Sequence, residues 1–520
     1  MLAIPAAAQT LTQAAPNTTD QQGQNVPIEG APGGPQVFGP QYYSQPTPAA
    51  AAAAPERTPA FVVTPTASIQ GTFTDNVRLV NTGAQSDWIT TPSGGLNVAG
   101  KTERAEIAGS YSVSGDIYAE HSDLNGYRQN LLTVDRFEPV KNAFSVELRG
   151  SVDQQEIAQT GPQSATLRSG LTNQTQVANA SITPSYVERW GTWGVSTLSY
   201  TLNEVAYFNG GNNTTANNLN DSTQQTILAS LASGDRFTRL TWSLAFSDDI
   251  SRGTETHLDQ QTAEADGEYR IDSTLRVPAT VGYDNFSENQ SGFSSTELSG
   301  VFWNTGIHLV PGPRTDLVLR YGRRYDKPYE SGSLTYKILP NVQFKAVYNI
   351  SVQTQQQTLA SALAGVTTDA NGNLVNPITG VGATPNQTND NLVNSVYRAR
   401  TFQFGVSGSH GLNSFALDGQ LETRDFGVLQ GSDRSETING LIGRTVGPLT
   451  TVNLNVAASH STSVATVLNQ GSTFDLLTGV DFGYKLSDRT NFSFDVTRRH
   501  ETGATKSDED AFVARLSHKF

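Results

Sequence analysis

The 520-residue chain contains no cysteine and a single methionine. Without cysteine there is neither a disulfide framework nor a thiolate metal site. Charge is scarce as well: Asp, Glu, Lys and Arg make up 16% of the residues, and the balance is −14, with a pI near 5.0. A nucleic-acid binder needs a basic face, so that class is excluded. Also missing is any run of eighteen apolar residues, which removes helical membrane proteins from consideration. Hydrophobic residues reach only 36%, below the globular norm.

What is present points one way. Glycine (47 residues), serine, threonine, asparagine and glutamine fill the composition, beside 17 Tyr, 22 Phe and 5 Trp. A disordered chain would be polar but would lack those aromatics. Low charge, many hydroxyls and amides, and many aromatics suit a sheet with one apolar face and one wet face.

The first nine residues, MLAIPAAAQ, end in small side chains like a signal-peptidase site, so residues 1–8 read as the tail of a signal peptide. Residues 9–60 are rich in Pro, Ala, Gln and Gly and show no alternation. They cannot bury enough apolar surface to offset their ordering entropy, which predicts a disordered periplasmic leader. From Phe61 the texture changes and stays changed to Phe520. Segments of ten to fourteen residues alternate apolar with polar, as when Phe144, Val146, Leu148, Gly150 and Val152 interleave with Ser145, Glu147, Arg149, Ser151 and Asp153. Leu240, Trp242, Leu244 and Phe246 alternate in the same way with Thr241, Ser243, Ala245 and Ser247.

A soluble sandwich alternates too, so the connections must decide. Tight turns are expected at 100–104, 138–142, 189–194, 233–236, 310–315, 339–342, 410–414, 446–450 and 486–490. Longer polar loops fall between them, for instance at 155–173, 209–221, 285–294, 355–394 and 461–471. Short and long connections taking turns is the habit of a barrel with one periplasmic rim and one outer rim. The fold class is therefore all-β: residues 61–520 form a transmembrane, antiparallel, up-and-down β-barrel of 20–22 strands, integral to the cell outer membrane, with both termini periplasmic. Twenty-two strands at about 4.8 Å spacing and roughly 40° tilt give a diameter of about 40–45 Å. Side chains cannot fill that width, so water or an inserted loop must, and 355–394 is the candidate.

The last strand carries a signal of its own. Phe512, Ala514, Leu516, His518 and Phe520 share one parity, and the chain ends on Phe520. Such an ending resembles the recognition signal read by the outer-membrane barrel assembly machinery, with His518 a mild departure and Phe512, Leu516 and Phe520 as its core. The segment 66–73 is its natural partner, since an open edge cannot stand in lipid.

No catalytic motif survives inspection. The seven histidines (His121, His257, His308, His410, His460, His500 and His518) form no HxxxH or HxH pair. Gly405-Val-Ser-Gly-Ser lacks the last glycine of a nucleophile elbow. Asp369-Ala-Asn-Gly-Asn373 places its glycine wrongly for a calcium loop and reads as a turn. The expectation is a non-enzyme without cofactor or metal. Parity directs a mixed set of charges into the lumen: Arg149, Arg239, Asp316, Arg320, Arg324, Asp418, Glu422, Arg424, Asp481 and Lys485, together with Glu147, Asp153, Asp495, Arg499 and Arg515. These either tune a hydrated pore or pair across strands and fill space. Arg320 and Arg324 form the sharpest basic cluster, which could suit anionic sugars. Trp88, Trp190, Trp193, Tyr325 and Tyr329 fit interfacial girdles.

Four stretches carry a family likeness. They are Thr74-Asp-Asn-Val-Arg-Leu79, Ser233-Gly-Asp-Arg-Phe-Thr-Arg-Leu-Thr-Trp242, Trp303-Asn-Thr-Gly-Ile307, and Pro311-Gly-Pro-Arg-Thr-Asp316 leading to Tyr321-Gly-Arg-Arg-Tyr325. In this order they resemble the PEP-CTERM-system-associated outer-membrane barrel family, which accompanies exosortase and exopolysaccharide gene clusters. The likeness covers most of 61–355 and fades in the last third. It implies a role in surface polysaccharide assembly or export, and it names no catalytic residue. The implied partners are outer-membrane lipid, the assembly machinery and periplasmic polysaccharide-export components. A general diffusion porin for small hydrophilic solutes and a structural or adhesive barrel with a plugged lumen remain the alternatives.

Overall fold

In the computed structural model the described residues are 61–208, 219–254, 256–288, 293, 295–368, 374–376, 383, 390–427, 431–464 and 471–520. The expected signal-peptide tail and leader, the turn at 369–373 and most of the loops at 209–221 and 461–471 lie outside them.

Alternation is realised as strand after strand. In chain order these are β1 Phe61–Thr74, β2 Asp87–Lys101, β3 Ala105–Tyr118, β4 Gly126–Val140, β5 Phe144–Glu156, β6 Gln174–Arg189, β7 Gly194–Phe208 and β8 Ser222–Ser233. There follow β9 Leu240–Gly253, β10 His257–Arg270, β11 Leu275–Glu288, β12 Gly300–Gly312, β13 Thr315–Arg324, β14 Lys327–Leu339 and β15 Val342–Thr354. Two-residue strands β16 Thr367–Thr368 and β17 Leu374–Val375 pair within one long loop. The wall resumes with β18 Val396–His410, β19 Asn413–Asp425, β20 Ser432–Gly447, β21 Thr450–Ser463, β22 Gly471–Lys485, β23 Thr490–Gly503 and β24 Ser507–Lys519. Short helices α1 Ser295–Leu298 and α2 Gln355–Ala364 sit in the connections.

Twenty-two of these strands form a single antiparallel sheet in which each wall strand pairs with its sequence neighbours. The sheet closes on itself: β24 pairs with β1 from Thr66 opposite Lys519 to Thr74 opposite Ala511. The partner segment expected for the last strand is the one found. Closure satisfies every ladder, which a barrel in lipid requires.

The two faces differ as the period-two pattern demands. Along β9, Leu240, Leu244 and Phe246 point outward and are exposed, whereas Ser243, Ser247 and Asp249 point inward and are buried. Phe474 and Phe482 in β22, and Phe512 in β24, are likewise exposed on the outside. A soluble sandwich would bury these rings; a lipid-facing belt exposes them. Phe512 sits midway along β24, with its ring 6.3 Å from that of Phe73 across the closing seam. Phe512→Arg is expected to cost about 2–4 kcal/mol, the penalty of an arginine near the bilayer midplane. Denaturant titration of the protein folded into vesicles measures it.

The nine expected tight turns all occur on one rim, and a tenth joins β10 to β11 at residues 271–274. This tenth turn brings the strand number to 22. It is held by the Asp272 carboxylate, which accepts from the Leu275 N–H at 2.8 Å and the Thr274 N–H at 2.7 Å. Those two N–H donors hold the Asp272 carboxyl below the usual aspartate range. The opposite rim departs from strict alternation of loop length. β13 and β14 meet there through a two-residue turn, Tyr325 and Asp326, with φ of 56° and 52°, the backbone of a type I′ hairpin.

That turn also corrects the girdle. Tyr325 is buried with Leu258, Phe286, Leu298, Val352 and Val396, its ring 5.8 Å from that of Phe286. Tyr329 is buried too. The tight turn folds Tyr325 back over the barrel mouth, and Tyr329 on β14 shares the lumen parity of Ser331, so both rings pack inside. Trp88, Trp190 and Trp193 are exposed, as interfacial rings should be.

Candidate functional site

The lumen is the place where this sheet brings polar chemistry together, and among the described residues two loops from the rim opposite the short turns fold into it. The larger runs from β15 to β18 and opens with α2. Thr354 caps that helix: its Oγ1 accepts from the Gln357 N–H, while the Gln357 side chain accepts from the Thr354 N–H. Leu359 then wedges between Val177 of β6 and Val205 of β7, all three fully buried. Asn179 Nδ2 donates to the Leu359 carbonyl at 2.8 Å. β6 and β15 are nine strands apart in a ring of 22, yet α2, ten residues and about 15 Å long, touches both.

Three buried arginines of the wall hold the infolded chain. Arg149 on β5 donates to the carbonyls of Leu363 (3.0 Å) and Val366 (2.7 Å), and Glu147 braces it at 2.6 Å. A cation suits the negative C-terminal end of α2, where the Leu363 carbonyl also accepts from the Val366 N–H at 3.2 Å. Arg424 on β19 is fully buried; it pairs with Asp433 and donates to Gln355 Oε1 at 2.9 Å and to the Asn391 carbonyl at 3.0 Å. It therefore grips both ends of the loop at once. Arg499 on β23 pairs with Asp475 at 2.7 Å and donates to the Ser164 carbonyl at 2.5 Å.

Ser164 belongs to the second infolded loop, residues 157–173 between β5 and β6. Glu509 on β24 accepts from Ala165 N–H (2.6 Å) and Ser169 Oγ (2.5 Å), and Tyr118 Oη donates to the Arg168 carbonyl at 2.6 Å. The two loops also touch: Leu392 N–H donates to the Ile157 carbonyl at 2.9 Å, and Gln159 N–H to Asn391 Oδ1 at 2.7 Å. The expectation of a single large insert at 355–394 is thus incomplete. A second, shorter loop shares the lumen, because wall carboxylates and arginines supply its backbone with partners that water would otherwise provide.

The remaining candidates sort themselves by partner. Arg320 donates to Asp266 (2.9 Å), Thr280 (2.7 Å) and Asn304 (3.2 Å). Arg324 makes a bidentate pair with Asp284 at 2.7 and 2.8 Å. Below them Glu268 binds both Arg276 (3.2 Å) and His308 (2.7 Å), and His308 reaches Asp316 at 3.2 Å. The basic cluster read from Arg320 and Arg324 is therefore neutralised on the wall, and a free site for anionic sugars there is not what forms. Cross-strand pairing accounts for it. Asp266, Glu268, Arg276 and Asp284 escaped the sequence reading, although all lie at lumen parity on β10 and β11.

Asp418 accepts from Asn439 at 2.9 Å, and Glu422 accepts from Thr401 at 3.0 Å and Gln420 at 3.1 Å, all facing the lumen. Asp153 accepts from Asn130 Nδ2 at 3.2 Å. Asp481 stands directly opposite Asp495 and accepts from Asn453 at 2.8 Å; Arg515 shares that region of the wall on β24. Two residues sit at the turn-side rim instead. Arg239 precedes β9 and is exposed, and Lys485 ends β22, pairing with Asp488 at 3.0 Å. Of the assembly residues, Phe512 and Leu516 face outward opposite Phe73 and Ile69, and Phe520 N–H donates to the Pro65 carbonyl at 3.0 Å. No group of three His, Asp or Glu side chains placed to hold a metal occurs among the described residues.

No family model matches this chain, and no curated protein is similar to it in sequence. Among solved structures, the siderophore receptor PirA from Acinetobacter baumannii superposes with a TM-score of 0.47 at 11% identity, over 88% of this chain and 80% of that one. The FrpB iron transporter from Neisseria meningitidis gives a TM-score of 0.46 at 8% identity, over 88% and 81%. The ferric-catecholate import receptor Fiu from E. coli K12 gives 0.45 at 10%, over 87% and 81%. At this distance the architecture rests on the strand register itself: the chain is an outer-membrane β-barrel with two loops folded into its lumen.

Proposed function

We propose that the barrel is a loop-restricted passage for hydrophilic solutes across the outer membrane, and that the process it serves is assembly or export of an exopolysaccharide. The observation that carries the first part is α2, held across the lumen by Arg149 and Arg424. With it in place the aperture is set by loop chain and not by the width of a 22-stranded cylinder. The lining supports a polyhydroxylated cargo: Gln, Ser, Thr and Asn side chains are abundant in it, and beside the ion pairs stand carboxylates held by neutral partners, such as Asp249, Asp418 and Glu422, so sugar hydroxyls meet both donors and acceptors. The exopolysaccharide assignment leans on the likeness of the four turn and strand motifs. It brings with it periplasmic export components as partners and the assembly machinery as reader of Phe512, Leu516 and Phe520. The role is transport without catalysis.

A diffusion porin is the second reading, favoured by the inward course of both loops from the rim opposite the short turns. The two separate in a deletion strain. Loss of surface polysaccharide with unchanged uptake of small solutes supports export. Unchanged polysaccharide with slowed solute uptake would replace it with the porin. A plugged structural barrel would show neither change, and almost no conductance in a planar bilayer.

A further inference from the structure

The outer face of the turn-side rim carries one arrangement that the lumen does not explain. The turn at residues 190–193, between β6 and β7, and the turn at 234–239, between β8 and β9, are tied together. Gly234 N–H donates to the Trp193 carbonyl at 2.9 Å, and Arg236 N–H to the Thr192 carbonyl at 3.0 Å. A Cβ on Gly234 would stand 2.5 Å from the Thr192 carbonyl oxygen, so the approach is as close as glycine permits.

Docking the turns assembles a stack. The Arg236 guanidinium lies 4.0 Å over the Trp193 ring. Phe237 packs edge-on against Trp193 (6.4 Å) and Trp242 (5.6 Å). Trp242 shares the outward parity of Leu240, Leu244 and Phe246. The stack therefore faces lipid at the end of the strands, the depth at which aromatic rings meet headgroups. Trp193 is 57% exposed, so the platform is open.

Its charge is open as well. Arg236 has no carboxylate partner among the described residues; a ring face supports it instead. Of the acids nearby, Glu188 accepts from Tyr186 Oη at 2.5 Å, and Asp235 is exposed one residue before Arg236. An arginine centred over an indole and free of a carboxylate keeps N–H donors for the two oxygens of a phosphate.

We propose that this stack is a binding site for an anionic phospholipid of the leaflet at the turn-side rim, the periplasmic one where short turns mark that side. The phosphate sits on Arg236, and the glycerol and upper acyl chain lie against Phe237 and Trp242. A zwitterionic headgroup brings its own cation and gains less from an unneutralised arginine, so the preference is for phosphatidylglycerol over phosphatidylethanolamine.

Native mass spectrometry of the whole, delipidated barrel with each lipid at equal concentration tests it. The wild type is expected to retain phosphatidylglycerol about fivefold better, the worth of one basic residue beside an anionic headgroup. Arg236→Gln abolishes the preference, and Trp193→Ala, which keeps the cation but removes its platform, reduces it. Arg239→Gln, on the same turn but outside the stack, leaves it intact. Equal retention of both lipids by the wild type overturns the site. So does a preference that survives Arg236→Gln, or one that falls as far in Arg239→Gln, which would assign it to diffuse rim charge. If Arg236→Gln does not assemble, Trp193→Ala decides alone: undiminished preference sinks the proposal.

Discussion

Deleting residues 355–394 raises the single-channel conductance of the reconstituted barrel at least threefold, by the expectation that only the shorter loop 157–173 then obstructs a 22-stranded lumen. The argument rests on where the loop is held. Arg424 alone touches Asp433 and both ends of the insert, through Gln355 Oε1 and the Asn391 carbonyl. Arg424→Ala therefore strands Asp433 as a buried, unpaired carboxylate, a loss of about 3–5 kcal/mol. The infolded chain is the part able to respond, since the wall strands are ladder-bonded on both sides. The variant is expected to flicker between a wild-type current and one near that of the deletion. Arg149→Ala removes two charge-assisted bonds to the end of α2, each worth about 1.5–3 kcal/mol, a loss of the same order, and produces a comparable flicker. Planar-bilayer recording of the three proteins checks the series. A wild-type current in the deletion and in both substituted proteins would mean that the loop does not set the aperture, and the restricted-passage reading would fall.

The second large effect concerns assembly. Gly322 on β13 faces Asn304 on β12, and a Cβ there would stand 1.9 Å from the Trp303 carbonyl oxygen. No side-chain movement relieves a clash with a ladder carbonyl, so the two strands would have to part. Gly322→Val is expected to cost more than the roughly 1–3 kcal/mol typical of overpacking, and to leave most of the protein unassembled in a folding assay with detergent or vesicles. Gly312→Ala is the matching control. It lies at the end of β12, its Cβ would meet nothing within 4 Å, and folding should be unchanged. A folded yield for Gly322→Val within a few per cent of wild type would refute the close approach.

The barrel was legible because its signal is local. Each strand states its own inward and outward faces, as β5 does with Glu147 and Arg149 against Val146 and Leu148. The closing pair was legible too, because only β1 could meet β24. Less legible was the turn at residues 271–274, which has no proline or glycine; its geometry comes from the Asp272 side chain, a motif shared with many non-turn segments. Parity placed Arg149, Arg424 and Arg499 in the lumen but could not say what each would hold, since Ser164, Leu363 and Asn391 are remote in sequence. The same limit applied to Arg320 and Arg324. Their acidic partners Asp266 and Asp284 sit on β10 and β11, two or more strands away, and pairing at that range is written in the register and not in any spacing. The infolding of 157–173 left the faintest trace, a polar loop like its neighbours, with Glu509 and Arg499 as its receptors far down the chain.

The helix that spans from β15 to β6 and β7 has a mechanical meaning as well. A wide cylinder one backbone thick is easily squeezed into an ellipse by the lateral pressure of the bilayer, because its ladders resist stretching along the hoop far better than they resist bending. A tie about 15 Å long, anchored at Thr354 on one side and at Val177, Val205 and Arg149 on the other, fixes the separation of those two sectors of the wall. The wall thereby keeps its cross-section, and the girdle outside it stays level with the headgroups.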